Sequence, residues 1–361
     1  DMAVMASDAS LIKMVKDVFP VIRGIYHVKS YEKLIDVVHT ANSNYAGVVA
    51  LDQSLVSHDV VEYLHARFKT VWVLQEEETD FELHNSIVSG CYGMIVKDYA
   101  NLYDLYQEYE TNTQLRTSFN VAHRGLSSIC NENSDHGTEK AIMTGATHVE
   151  VYVYLTKDNQ VAIMHDGTID RTSNGSGNVQ SLTYEQLLQY DFGSWYSSKF
   201  TGTKIPTFKE FIMYCKGLGL HPYIELKSSG GYTESQIRQV VDEVELCGMK
   251  GKVTYISFSS TFLQYVKAYD EEARLGFIAD VTSSTIATAN GLKTGKNEVF
   301  MDVNYTYVKD SKVALCMAND LPMEVWTVND ANVIKKLNPY VSGVTSDNQV
   351  AGKILYDLYS T

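Results

Sequence analysis

The chain has 361 residues and a formal net charge of −14 at pH 7, from 30 Lys and Arg against 44 Asp and Glu. This acidic balance argues against nucleic acid or an anionic membrane surface as the main partner. A hydrophobic content of 45% and a charged content of 20% are ordinary for a globular protein. The length suits a barrel with an appendage, and no apolar run approaches the length of a membrane span.

The cysteines are dispersed and show neither a CxxC pair nor the Cys/His spacing typical of zinc sites. Such a set predicts buried free thiols rather than a disulfide framework. The first residue is Asp1 rather than Met, so an extracytoplasmic location is expected if an upstream signal or anchor was removed, and a cytoplasmic one otherwise. The compartment and the oligomeric state therefore stay open.

Residues 1–118 alternate short apolar runs with amphipathic stretches, which indicates a parallel β/α region. The runs expected to form strands are Val21–Ile22, Ala46–Leu51, Thr70–Leu74 and Gly93–Val96. Helical spacing is found over Tyr31–Ala41, Val60–Ala66 and Leu102–Tyr109. Four strands are half of a barrel and cannot close one alone. We therefore interpret this region as a non-catalytic accessory that resembles half a barrel.

Three features of this region recur later in the chain in the same order. Val71–Leu74, Val88–Gly90 and Leu102–Tyr106 are echoed by Val325–Val328, Val341–Gly343 and Leu355–Tyr359. The shared order suggests that the N-terminal region copies the closing part of a second domain. The alternative is two independent β/α units with common packing residues, and the sequence favours neither.

A polar stretch, Tyr109–Ser118, is the predicted linker, and the pattern restarts over residues 119–361. Helix starts are marked by capping boxes at Thr183/Gln186, Thr207/Glu210 and Thr233/Gln236. Eight or nine strands are predicted, which is enough to close a TIM (β/α)8 barrel. They lie around Val121, Val149 and Val161 and over Tyr223–Leu226, Val253–Phe258, Leu275–Ile278, Val299–Val303, Met323–Val328 and Gly343–Thr345.

Two histidines, His123 and His165, each follow an apolar strand-like run and precede a turn signal. Polar residues at the ends of barrel strands are where such folds place their chemistry. Two imidazoles in one cleft can divide the roles of general base and general acid near neutral pH. Arg124 is suited to bidentate capture of a phosphate. A lone histidine at a strand end is more often structural, and the adjacent arginine favours function here.

Acidic residues on two different strands, Glu150 and Glu225, suit a hard divalent cation such as Ca²⁺ or Mg²⁺ if they converge. Lys227 lies two residues after Glu225 and would share its face of the strand. The alternative is an internal salt bridge between those two residues. Trp326, late in its strand, is a candidate wall of a substrate pocket, although taken alone a core position is the simpler interpretation.

These motifs together resemble the glycerophosphodiester phosphodiesterase family. The motifs that carry the resemblance are His123-Arg124-Gly125, Glu132-Asn133, Glu150, Leu155-Thr156-Lys157-Asp158, His165-Asp166, Asp170-Arg171-Thr172, Glu225-Leu226-Lys227 and Trp326-Thr327-Val328-Asn329. The resemblance covers residues 119–361 and implies a TIM barrel whose two histidines act as acid and base. It further implies that Arg124 and Lys227 hold the substrate phosphate, and that a divalent metal sits on Glu150 and Glu225, with Glu132 as a further candidate. The expected reaction releases an alcohol and sn-glycerol 3-phosphate from a glycerophosphodiester.

Two positions depart from the family pattern. The family usually shows Glu-x-Asp on the second strand, with both residues ligating the metal, whereas this chain has Tyr152 in place of the aspartate. A tyrosine cannot replace a carboxylate as a hard-cation ligand at neutral pH without a large shift of its pKa. The family's Pro-Glu-Asn-Thr is here Asn131-Glu132-Asn133-Ser134, with extra residues through Gly137. The alternative function is therefore a catalytically impaired barrel that serves as a binding or scaffold protein.

Overall fold

The computed structural model describes residues 2–109, 118–337, 340–348 and 351–355. The strands are β1 (Ala3–Ala6), β2 (Arg23–Val28), β3 (Val48–Asp52), β4 (Thr70–Leu74), β5 (Gly93–Ile95), β6 (Phe119–Ala122), β7 (His148–Leu155), β8 (Val161–Ile163), β9 (His221–Leu226), β10 (Thr254–Ser257), β11 (Arg274–Ile278), β12 (Val299–Asn304), β13 (Met323–Trp326) and β14 (Gly343–Ser346). The helices are α1 (Ala9–Val18), α2 (Leu34–Ser43), α3 (His58–His65), α4 (Asp80–Val88), α5 (Tyr99–Tyr106), α6 (Asp135–Met143), α7 (Tyr184–Leu187), α8 (Phe208–Leu218), α9 (Glu234–Leu246), α10 (Ser260–Tyr269), α11 (Ser283–Gly291), α12 (Asp310–Ala318) and α13 (Ala331–Leu337).

Eight parallel strands close into a barrel in the order β6-β14-β13-β12-β11-β10-β9-β7, with β7 pairing back to β6. Helices that alternate with these strands pack their apolar faces on the outside of the barrel, and the strands themselves are buried on both faces. The architecture is the predicted TIM barrel. The predicted strand around Val161 exists as β8, but it pairs antiparallel with β7 and lies outside the closed ring.

The N-terminal region forms a separate parallel sheet in the order β1-β2-β3-β4-β5. Apolar residues of α1, α2 and α3 cover one face of this sheet and form its core with β2, β3 and β4. The sheet has five strands rather than the four predicted: three of the predicted strands correspond to β3, β4 and β5, whereas β1 and β2 were missed. The prediction of a strand at Val21–Ile22 was wrong: those residues lie in the turn that precedes β2.

The order of elements in this sheet repeats that of the closing part of the barrel. Both series alternate strand and helix from β1 and from β10, and in both the third strand is followed by a short 3-10 turn, at Gln53–Leu55 and at Tyr305–Tyr307. This match agrees with an internal, incomplete copy. The last feature of the sequence echo, from Tyr356 onward, and the predicted linker over residues 110–117 lie outside the described residues.

The two units pack through the amino-terminal ends of their strands. Phe68, in the loop before β4, enters the base of the barrel, where its ring centroid is 5.1 Å from that of Phe300 and 5.8 Å from that of Phe119. A barrel residue, Asp320, in turn contacts the N-terminal unit. Its carboxylate accepts a hydrogen bond from the Gly47 N–H at 3.0 Å and forms a salt bridge with Lys16 at 2.5 Å. The two units therefore share one buried interface.

Local signals in the sequence agree with the structure at several points. Each of the three predicted capping boxes is present, at the starts of α7, α8 and α9. The five cysteines, Cys91, Cys130, Cys215, Cys247 and Cys316, are free and buried, as predicted. Within the described ranges, no helix combines the length and the apolar character needed to cross a membrane.

Candidate active site

The site lies at the carboxyl ends of the barrel strands, where His123 directly follows β6. The chain turns sharply there, because Arg124, Gly125 and Leu126 all have positive φ values of 53°, 72° and 68°. Left-handed backbone costs energy at non-glycine residues, and such strain is found where surrounding structure holds a functional group in place. The turn brings His123 and the Arg124 side chain to the mouth of the barrel.

His165 reaches the same mouth by a different route. The strand β7 has eight residues and extends past the rim, and β8 returns antiparallel to it. His165 follows β8, and its ring packs against that of Tyr152 with centroids 4.5 Å apart. His165 therefore follows a strand, as predicted, but that strand pairs antiparallel with β7 and is not one of the eight strands of the barrel.

His123 is held between two carboxylates. Its Nδ1 lies 2.5 Å from Asp347 Oδ1, and its Nε2 lies 3.7 Å from Glu150 Oε2. Burial would raise the pKa of Asp347, but hydrogen bonds from His123, Asn329 and Ser127 bring it well below its usual range. Asp347 is thus a permanent anion that orients the His123 ring, and the sequence interpretation did not identify it.

His165 faces cations instead. Its Nε2 lies 2.9 Å from Arg124 Nη2 and 3.2 Å from Lys227 Nζ, while its Nδ1 lies 2.6 Å from Asp166 Oδ1. Burial, followed by the charge of Lys227, lowers the pKa of His165 to about 4. The ring is therefore neutral at pH 7. The surrounding donors assign the proton to Nδ1, which donates to Asp166, and leave Nε2 as an acceptor.

Glu132 is bound by two arginines. Arg171 contacts both of its carboxylate oxygens, at 2.7 and 3.0 Å, and Arg124 Nη1 lies 3.1 Å from Oε2. Burial opposes ionisation, but the Arg171 hydrogen bond and the Arg124 charge still lower the pKa of Glu132. Arg171 also donates to Asp166 at 2.6 Å. Glu132 consequently positions the guanidinium groups, and Arg171 joins the site although it was not among the predicted site residues.

Glu150 and Glu225 are buried next to each other below the histidines, at 6% and 3% exposure. Burial, with a further contribution from the negative charge of Glu150, raises the pKa of Glu225 to about 7 against the opposing charge of Lys227. Lys227 Nζ lies 3.0 Å from Glu225 Oε1, so the salt bridge that the sequence offered as the alternative to a metal site is present. Tyr152 is enclosed between these groups, and burial together with both glutamates raises the pKa of its phenol, which stays protonated.

The donor set for a metal is small. Glu150 Oε2 is buried without a hydrogen-bond partner, which is unusual for a carboxylate oxygen and is consistent with a ligand position, whereas Glu225 Oε1 already has Lys227 Nζ at 3.0 Å. Among the described residues, however, no group of three or more His, Cys, Asp or Glu side chains comes together to hold a metal ion. Two carboxylates suit Mg²⁺, which keeps several waters and uses substrate phosphate oxygens, better than the larger protein shell of Ca²⁺.

Trp326 is the last residue of β13, at the carboxyl end of that strand, and its role as a pocket wall stays a prediction. It is partly buried against the barrel interior, and its ring centroid lies 6.0 Å from that of Phe258, which is half exposed. An aromatic pair at the carboxyl end of the strands offers an apolar surface.

Comparison with known proteins gives consistent matches to the barrel. Residues 123–350 match the model of the Glycerophosphoryl diester phosphodiesterase family. The chain is 30% identical over 240 residues to the Bacillus subtilis protein YhdW, covering 63% of this chain and 93% of that protein. It is 29% identical over 243 residues to the glycerophosphodiester phosphodiesterase of the same organism, covering 62% and 81%.

Solved structures match the same fold. A phosphodiesterase from Oleispira antarctica, solved in complex with the product sn-glycerol-3-phosphate, aligns with a TM-score of 0.59 at 24% identity and covers 67% of this chain and 97% of its own. A glycerophosphodiester phosphodiesterase from Agrobacterium tumefaciens aligns with a TM-score of 0.56 at 23% identity, covering 65% and 99%. The matched share corresponds to the barrel without the N-terminal sheet.

Proposed function

Because the chain belongs to the glycerophosphoryl diester phosphodiesterase family, we propose that its barrel hydrolyses glycerophosphodiesters to an alcohol and sn-glycerol 3-phosphate. The observation that carries this proposal is the group of cationic side chains around His165. The side chains of Arg124 and Lys227 both contact His165 Nε2. Arg171 is linked to Arg124 by Glu132, whose carboxylate accepts hydrogen bonds from both arginines. Converging cations at the mouth of an otherwise acidic protein are suited to a phosphate anion.

His165 is the general base in this proposal. The ring is neutral with Nε2 free of a proton, which is the state that a base must have. When a substrate phosphate draws the hydrogen bonds of Arg124 and Lys227 to itself, Nε2 is released to accept a proton from the attacking water. The negative phosphate also raises the proton affinity of the nearby imidazole. Asp166 holds the ring in the required tautomer through Nδ1.

His123 is the general acid. Its ring lies between two carboxylates, with Asp347 Oδ1 2.5 Å from Nδ1 and Glu150 Oε2 3.7 Å from Nε2. A proton on Nε2 can pass to the oxygen of the departing alcohol as the phosphorus–oxygen bond breaks. The different charges around the two histidines thus separate the acid from the base.

A divalent cation is the cofactor that we assign to Glu150 and Glu225, with Mg²⁺ favoured over Ca²⁺ by the number of donors. Bound there, it would neutralise charge that develops on the phosphate oxygens. We leave Glu132 out of the donor set, because two arginines already satisfy its oxygens. Lys227, 3.0 Å from Glu225 and 4.3 Å from the centre of the Tyr152 ring, supplies fixed positive charge in the same place.

A second function, a binding or scaffold role for an impaired barrel, is favoured by one observation. Tyr152 stands where the family carries an aspartate, and its phenol remains neutral. The retained acid–base pair, each member with its own carboxylate partner, supports catalysis over this alternative. We further propose that residues 1–118 are an accessory region that is not catalytic in this reaction, since the site described above is built from residues 123–347.

Turnover of glycerophosphocholine tests the proposal. We expect release of choline and sn-glycerol 3-phosphate, with a rate that increases on addition of Mg²⁺ and falls with a chelator. Binding of glycerophosphocholine without turnover, in the presence of Mg²⁺ or Ca²⁺, would instead establish the binding function.

A further inference from the structure

Three polar side chains, Ser7, His27 and Asp52, form a connected row on the N-terminal sheet. The Ser7 Oγ lies 3.1 Å from His27 Nδ1, and His27 Nε2 lies 2.6 Å from Asp52 Oδ1. A hydroxyl, an imidazole and a carboxylate joined in this order are the arrangement that activates a serine as a nucleophile. None of these residues contributes to the barrel site.

The fold places the row at the carboxyl edge of three neighbouring parallel strands. Ser7 follows β1 directly, His27 is the penultimate residue of β2, and Asp52 ends β3. In the register of the sheet, Ala6 is opposite Tyr26 and His27 is opposite Ala50, so Ser7 falls beside His27. The carboxyl edge of a parallel sheet is where α/β proteins place ligand and catalytic groups.

The protonation of this row follows from its partners. A carboxylate can only accept, so His27 Nε2 carries the proton and donates to Asp52. Nδ1 is then an acceptor for the Ser7 hydroxyl, which is the direction of transfer that a general base needs. His27 and Asp52 are largely covered, at 12% and 17% side-chain exposure, whereas Ser7 is exposed to solvent. A reactant can therefore reach the hydroxyl but not displace its partners.

A purely structural role for Ser7 does not account for this arrangement. Serine beside a helix start usually serves as its N-cap, but here Asp8 has that position and accepts from the Ser10 N–H at 3.0 Å. The Ser7 hydroxyl is thus not engaged in capping α1. Within the described part of the chain, its hydrogen bond goes to an imidazole that is itself oriented by a carboxylate.

We propose that Ser7, His27 and Asp52 form a second catalytic site, which hydrolyses carboxylic esters with an apolar acyl group. Ser7 Oγ attacks the ester carbonyl carbon and its proton passes to His27 Nδ1. The alcohol departs with that proton and leaves Ser7 acylated. Water, deprotonated by His27, then cleaves the acyl–serine bond and restores the hydroxyl. Asp52 is a positioning residue. Met5, two residues before Ser7 and half exposed, provides apolar surface on the same side of β1.

The test is covalent labelling of the whole chain with a fluorophosphonate probe, read by intact mass and peptide mapping, together with hydrolysis of p-nitrophenyl butyrate. We expect one adduct, on Ser7. Ser7→Ala should abolish it, and His27→Asn should slow both labelling and hydrolysis by roughly 10²–10⁴-fold. Ser10→Ala is the matched control, because Ser10 is an exposed serine of the same segment outside the row.

Two further readouts separate catalysis from structure. Asp52→Asn should slow hydrolysis and change its pH profile, since the amide no longer favours the imidazolium that forms during attack. Glycerophosphodiester turnover should be unchanged in Ser7→Ala, because Ser7 is remote from the barrel site. Absence of a Ser7 adduct in the unmodified chain would overturn the proposal. So would p-nitrophenyl butyrate hydrolysis by Ser7→Ala at the rate of Ser10→Ala.

Discussion

The two histidines of the barrel site have neighbours of opposite charge: His123 lies between two carboxylates, and His165 Nε2 faces Arg124 and Lys227. Their presence at the mouth could be predicted, since each follows an apolar run and precedes a turn. Their partners could not all be predicted: Asp166 is adjacent to His165 in sequence, but Asp347 lies 224 residues from His123. Side chains brought together by closure of the barrel leave no local pattern in the sequence.

The first prediction concerns His123 and His165. Replacing either residue by Asn should lower kcat for glycerophosphocholine by roughly 10²–10⁴-fold, because one proton transfer loses its group. In the unmodified enzyme held at saturating Mg²⁺ throughout, kcat/KM should persist down to about pH 5 and fall only as pH drops through about 4, where His165 of the substrate-free enzyme takes up a proton. Steady-state kinetics from pH 4 to 9 measure both effects. Turnover near the unmodified rate in either folded variant would remove that residue from the mechanism.

The second prediction concerns Tyr152. Tyr152→Asp should tighten Mg²⁺ binding measured by calorimetry, because a third carboxylate joins Glu150 and Glu225. The smaller side chain also leaves a void, so the variant should be less stable than the unmodified chain. Tyr152→Phe is the matched control and should bind Mg²⁺ as weakly as the unmodified chain. Equal affinities in all three proteins would show that position 152 does not face the cation.

The pH dependence of Mg²⁺ binding is a third prediction. The pKa of Glu225 is raised to about 7, so its carboxyl is protonated below that pH and must lose a proton to bind a cation. Affinity should therefore decrease as pH falls from 8 to 6, with proton release on binding. Calorimetry in buffers of different ionisation enthalpy measures this release directly. An affinity independent of pH over this interval would contradict the assignment of Glu225 as a ligand.

At the scale of elements, apolar periodicity predicted where the barrel strands lie. It did not predict that one of the expected strands, β8, pairs antiparallel with β7 and stays outside the ring. A short apolar run such as Val161–Ile163 has the same pattern whether its partner is parallel or antiparallel. In the N-terminal sheet, β1 was missed because Ala3–Ala6 is half exposed at the edge and carries no long apolar run. The loop residue Phe68 gave no signal at all, since a lone aromatic between charged residues is typical of a surface loop.

Phe68 provides the fourth prediction. It is nearly fully buried in the base of the barrel, so Phe68→Ala should reduce the free energy of unfolding by about 3–5 kcal/mol. Phe19→Ala is a suitable control, because Phe19 is more than half exposed and its loss should change stability little. Chemical denaturation followed by fluorescence and by circular dichroism measures both variants. A Phe68 variant as stable as the Phe19 variant would mean that the two units do not share a core.

At the scale of the whole molecule, the restart of the strand pattern predicted a boundary at residues 118/119, but the interface between the units was not predictable. The contacts at this interface include single residues in turns, such as Phe68 and Asp320, whose burial depends on the partner unit. The fold class and family followed from periodicity and from motifs within one unit. The interface depends on how two units dock, which has no periodic signature.

The fifth prediction concerns stability against pH. Glu324, buried inside the barrel, accepts a hydrogen bond from Tyr223 at 3.0 Å, and burial raises its pKa to about 8. The folded state therefore keeps a proton that the unfolded chain releases near pH 4.5, and stability should fall as pH rises from about 4.5 to 8. Glu324→Gln keeps an acceptor for Tyr223 without this titration.

Thermal unfolding at pH 5, 6.5 and 8 tests the role of Glu324. The loss of stability between pH 5 and 8 should be smaller in Glu324→Gln by about 1–3 kcal/mol, given 1.4 kcal/mol for each unit of pKa shift. Glu271→Gln serves as a control, because Glu271 is an exposed carboxylate paired with Lys296 on the surface. Identical pH profiles of the Glu324 variant and the unmodified chain would show that Glu324 does not carry the buried proton.

Because the two units pack base to base, their arrangement also determines how a small molecule could move from one unit to the other. The amino-terminal strand ends of both units meet at Phe68 and Asp320. The carboxyl ends of the strands in the two units therefore face in opposite directions. A compound released at one rim must leave into bulk solvent and diffuse around the molecule to reach the other. Direct channelling is excluded by this geometry, and an added competitor in solution would intercept any intermediate.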